Sequence, residues 1–136
     1  MTPLKTPLVP ISWGELVDKM TILEIKSERI ADEVKVANVR RELDALRAAM
    51  TAAGRMPAGT GNLVAELKAV NESLWDIEDQ IRDEDAAGNF VPRFIDLARS
   101  VYRNNDRRAR IKRDINLLVG SDLIEEKSYA EHGDGA

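Results

Sequence analysis

The chain has no cysteine, one histidine and few aromatic residues, which make up 4% of its 136 positions. Without cysteine there is no disulfide, no thiolate metal site and no Cys nucleophile. With so few rings, the core must be built from Leu, Ile, Val, Met and Ala, the usual material of helix bundles. No apolar run reaches the length of a membrane span or a signal-peptide core, and the first ten residues carry Pro3, Pro7 and Pro10 instead. Positive charge is not in excess either: the net charge is -4, which argues against general nucleic-acid binding. A soluble, cytoplasmic protein with no membrane association is expected. No nucleotide loop, Ser-His-Asp set, zinc spacing or EF-hand loop occurs, so neither cofactor nor metal is expected. His132 falls in a terminal tail and is given no role.

What is present points to helices. Hydrophobic residues at 43% and charged residues at 32% suit one folded domain over 1–136. Ser12 and Glu15 have capping-box spacing, and Ile11 and Leu16 sit where a hydrophobic staple joins N′ to N4. Leu16, Met20, Leu23 and Ile30 then recur at helical spacing. Asp32 is a candidate cap for a second helix with Val36, Val39, Leu43, Leu46 and Met50 on one face. No Gly or Pro separates the two, so a single helix from about Gly14 to Ala52 stays open, although a break near Asp32 is favoured.

Gly54 to Gly61 is the clearest loop. The third helix carries Leu63, Leu67, Val70, Leu74, Ile77 and Ile81 as a coiled-coil-like seam. Gly88 and Asn89 end it, Pro92 opens a fourth helix, and Gly120 lies just past that helix's end near Val119. The expected fold is all-α: an antiparallel helical bundle, or two packed hairpins, of about four helices. Extended arms flank it, with residues 1–11 before the helical core of 12–120. Residues 122–129 follow as an arm that could pack, and 130–136 as a disordered tail.

The most informative stretch is a polar interruption in the fourth helix, from Arg103 to Arg110. Helical phase puts Asn104, Asn105, Arg108 and Lys112 on the stripe that Phe94, Val101, Ile111 and Ile115 bury. A buried Arg108 must be paired, because an isolated interior charge costs several kcal/mol. Glu24, Glu42 and Glu78 lie on core edges of the other helices and are its candidate partners. Asn71 shares the edge of Glu78, and Trp75 and Arg82 flank it. Three readings stay open: a closed structural set of ion pairs, an anion pocket between helices, or an oligomer interface whose polar group sets register.

Other charged groups divide more plainly. Lys19, Lys26 and Arg29 form a basic line on helix one, with Lys19 and Lys26 bordering the apolar stripe so that their stems pack. Glu72, Asp76, Asp79 and Asp83 lie opposite the helix-three seam and should face water rather than hold magnesium. Six of the eleven residues from Arg103 to Arg113 are basic, but they spread around the helix, so nucleic acid is not the expected partner.

Three stretches carry a resemblance. They are Ile11-Ser12-Trp13-Gly14-Glu15-Leu16-Val17-Asp18-Lys19 with Ile22-Leu23-Glu24-Ile25-Lys26, Asn71 through Glu78, and Tyr102 through Asn116 continuing to Glu125-Glu126-Lys127-Ser128-Tyr129. In these the chain resembles a bacterial family of small helical proteins known only as a domain of unknown function. The likeness spans most of the chain and carries no reaction with it. It implies that Lys19, Glu24, Glu78, Asn105, Arg108 and Lys112 belong to the family pattern.

Two functions follow as expectations. The first is a helical interaction module that forms a homodimer or binds a protein partner, resting on the helix-three seam and the mixed charged faces. The alternative is a small-anion binding protein or small helical-bundle enzyme, gripping a phosphate or carboxylate metabolite with Arg108, Lys112, Lys19 and Lys26.

Overall fold

A computed structural model describes residues 2–90 and 92–128. Four helices form among them: α1 (Trp13–Arg29), α2 (Glu33–Ala53), α3 (Thr60–Ala86) and α4 (Pro92–Val119). The break near Asp32 is real, and one continuous helix is ruled out. Ile30 leaves the helical region, and the Asp32 side chain accepts the amides of Val34 and Lys35 to start α2. α4 ends at Val119, where Gly120 takes φ +70 and the Ser121 amide returns to the Asn116 carbonyl.

α3 and α4 fold back on each other as an antiparallel hairpin, with Arg93 at the start of α4 beside Gln80 and Glu84 near the end of α3. α1 packs across both helices, and α2 packs only on α1. α1 is therefore the middle layer and buries two sides. One side gives Leu16, Met20 and Leu23 to Leu43 of α2; the other gives Val17 to Leu67, Val70, Ile111 and Ile115. Each buried aliphatic side chain contributes roughly 1.5–3 kcal/mol.

The first part of the helix-three seam packs within the chain. Leu67 and Val70 are buried and Leu63 and Leu74 pack against the same cluster, while Ile77 and Ile81 stay partly exposed. At the staple positions Leu16 is buried and Ile11 is 38% exposed. Residues 2–11 carry no secondary structure and are exposed. Residues 121–128 leave α4 without secondary structure and touch the protein through Ser121, Glu125 and Glu126. Tyr129 and the tail with His132 lie outside the described residues. No helix among the described residues is long and apolar enough to cross a membrane.

Candidate functional site

Among the described residues, ten hydrophobic side chains are buried beside seven polar or charged ones. The polar set is thus part of the core, and each member needs a partner. Asp18 is the centre, with 1% of its surface exposed. Val17, Asp18, Thr21 and Ile25 form the second buried side of α1. The Arg108 guanidinium meets Asp18 edge-on, Nε donating to Oδ1 at 2.9 Å and Nη2 to Oδ2. Asn71 Nδ2 donates to Asp18 Oδ1 and to Thr21 Oγ1, both at 2.9 Å, and Thr21 Oγ1 donates to the Asp18 carbonyl at 2.8 Å. One carboxylate thereby joins α1, α3 and α4.

One turn further along α4, Lys112 Nζ donates to Glu15 Oε2 at 2.6 Å and to Glu125 Oε2 at 2.9 Å. Burial pushes the Lys112 ammonium down, but the bonds to Glu15 and Glu125 outweigh it and hold the group above its ordinary value. The hydrogen bond from Lys112 draws the Glu125 carboxyl below its ordinary value against a smaller opposing effect of burial. The hydrogen bonds to Asp18 raise Arg108 further still.

The first turn of α1 is closed by the other end of the fold. Its leading amides have no partner within the helix. Trp13 N–H donates to Ser121 Oγ at 3.3 Å, Gly14 N–H to Asn116 Oδ1 at 2.6 Å and Glu15 N–H to Ser12 Oγ at 3.2 Å. Ser12 caps as its spacing predicts, while the Glu15 carboxylate turns to Lys112. Gly14 permits the approach: a Cβ there would collide with the Lys112 carbonyl and lie 3.1 Å from Asn116 Oδ1. With its amides engaged, this helix start is not an open anion site.

Beside this closed set lies a cleft of about 470 Å³ between α1, α3 and α4. Ile22, Ile25, Leu74, Trp75 and Val101 give it apolar walls. Arg108, Asn71 and Asn105 lie at the Asp18 end, and Lys26, Glu78, Asp79 and Arg82 also line it. Arg108 belongs to both parts. Nε and Nη2 face Asp18, whereas Nη1 makes no hydrogen bond among the described residues and the side chain stays 28% exposed. Lys26 and Asn105 have no ion pair or side-chain hydrogen bond among the described residues.

The sequence-based site is partly assembled. Arg108, Asn71, Asn105, Trp75, Glu78 and Lys26 come together around the cleft, and Lys112 sits in the adjoining ion-pair set. Lys19 is exposed and outside it, and Asn104 Nδ2 donates to the Ser100 carbonyl of its own helix at 2.9 Å. None of the three expected acids meets Arg108. Glu24 faces Lys68 at 3.5 Å and Arg47 at 3.9 Å, Glu78 faces Arg82 at 3.7 Å, and Glu42 is exposed. The carboxylate stripe of α3 faces outward, with Asp76, Asp79 and Asp83 exposed, and Asp76 and Glu72 in addition pair with Arg29 of α1, at 2.5 and 3.9 Å. No group of acids or His among the described residues could hold a metal ion.

Asp18, Glu15, Thr21, Asn116 and Glu125 were not anticipated as partners. Asp18 and Thr21 lie three residues apart, flanked by Val17 and Ile25, and that second buried stripe was the available signal.

No curated protein and no solved structure matches the chain. A family model described as "Family of unknown function (DUF6165)" matches residues 8–133, which include every residue of the closed set and the cleft. The chain belongs to that family.

Proposed function

We propose that this protein binds a small organic molecule in the cleft between α1, α3 and α4, with Arg108 as its fixed anchor. One observation carries the reading. Arg108 is clamped by a fully buried carboxylate on two of its nitrogens, its third nitrogen makes no hydrogen bond among the described residues, and the residue lines an apolar-walled cleft. A guanidinium held in this way needs no reorganisation on binding, which is the condition for a preorganised ligand contact. The volume lies within the range of small-molecule sites, roughly 300–1,000 Å³.

The test is a metabolite screen by thermal shift on the full chain and on Trp75→Ala. Trp75 lies in the cleft wall, only partly buried and outside both core clusters, so its removal should spare the fold. At least one compound should raise the wild-type Tm and leave the variant's unchanged. Compounds that move both proteins equally would sink the reading.

A second reading, self-association or a protein partner, has support elsewhere. Leu117 and Leu118 at the end of α4, with Leu123 and Ile124 just after it, are exposed, as are Leu4, Leu8 and Val9 of the first arm. Grouped apolar exposure of this kind favours an interface. Sedimentation that stays monomeric at high concentration would remove it for self-association.

A further inference from the structure

We infer that the ligand is a monocarboxylate with an aromatic or branched aliphatic body, its carboxylate held between Arg108, Lys26 and Asn105. This rests on the cleft being a binding site and adds what enters it. The uncommitted groups decide the sign. Arg108 Nη1, the Lys26 ammonium and the Asn105 amide all offer N–H donors without partners among the described residues, and these three residues line the cleft. The acidic groups are placed differently. Glu78 already faces Arg82, and Asp79 is exposed. An acceptor-rich head therefore fits the donor group.

Charge limits that head to one negative unit. The adjoining ion-pair set holds Asp18, Glu15 and Glu125 against Arg108 and Lys112 only, three carboxylates to two cations. The Arg108 charge is thus already compensated, and on the cleft wall Arg82 stands against Glu78 while Lys26 is matched in number by Asp79. A single carboxylate beside Lys26 therefore adds only one negative unit. A phosphate monoester would bring a second negative charge into a half-apolar space that already carries a surplus. Ile22, Leu74, Trp75 and Val101 then cover the apolar body.

The probes are 3-phenylpropanoate and 4-methylpentanoate, their primary amides, and 2-phenylethyl phosphate, each at millimolar concentration. The readout is the indole N–H resonance of Trp75 in the full chain, assigned against Trp75→Phe. The carboxylates should shift this resonance in a saturable way and the amides at least tenfold more weakly. Lys26→Met keeps the stem and should weaken carboxylate binding at least tenfold. Amides that bind as tightly, a phosphate that binds more tightly, or an unaffected Lys26→Met would overturn the carboxylate assignment while leaving a binding cleft. No shift with any probe would sink the cleft reading together with it.

Discussion

Asp18 on α1 and Arg108 on α4 are 90 residues apart, yet the guanidinium meets both carboxylate oxygens edge-on while Asn71 of α3 bonds one of them. Removing one partner strands the other charge, so Asp18→Ala should cost about 3 kcal/mol. Replacing both, as Asp18→Leu with Arg108→Met, should recover most of that loss. Denaturant unfolding of the single and double variants checks this. Strictly additive losses would mean that the pair does not act as a unit.

Gly14→Ala should destabilise by about 1–3 kcal/mol, because the added methyl meets backbone at Lys112 that cannot turn aside. Thermal unfolding measures the effect. An unchanged Tm would show that α1 and α4 do not approach as closely as the Gly14–Asn116 hydrogen bond requires.

Residues 121–128 should release in acid. Glu125 titrates below its ordinary 4.5 in the folded chain, so its contribution is present above that value and is lost as pH falls through the lowered one. Lys112 behaves in the opposite sense: its raised value keeps its contribution intact below 10.5 and loses it only in stronger alkali. NMR titration of the Glu125 carboxyl, with amide exchange of residues 121–128, follows both. An ordinary Glu125 titration would break the proposed contact with Lys112.

Lys19→Ala should change stability by no more than about 0.5 kcal/mol and leave cleft binding intact, since the side chain is exposed. Lys112→Ala should cost several times as much, because Glu15 and Glu125 lose their shared cation. Paired unfolding curves for the two variants separate them.

These contrasts show how far residue order alone could reach. Caps and turn residues act locally, so Ser12, Asp32, Pro92 and Gly120 marked helix ends that the fold keeps. The period of α4 placed Arg108 and Lys112 inward for the same reason. Their partners depend on which helices touch, and that is not a local property. Reading α1 as a helix with one apolar side favoured Glu24 as an acid at the core edge. Burial between α2 and the α3–α4 hairpin instead makes the Val17–Asp18–Thr21 side interior and leaves Glu24 to Lys68 and Arg47. Glu125 was harder still, because it lies in a segment without periodicity.

The closing of α1's first turn by Asn116 and Ser121 also fixes an order of events during synthesis. α1, α2 and α3 leave the ribosome before the residues that satisfy the Trp13 and Gly14 amides exist. Until Arg108 follows, Asp18 has only Asn71 and Thr21 to offer it hydrogen bonds. A nascent chain cut short before Arg108 therefore carries a carboxylate without its cation on its central helix, and the cleft beside it takes shape only once α4 has arrived.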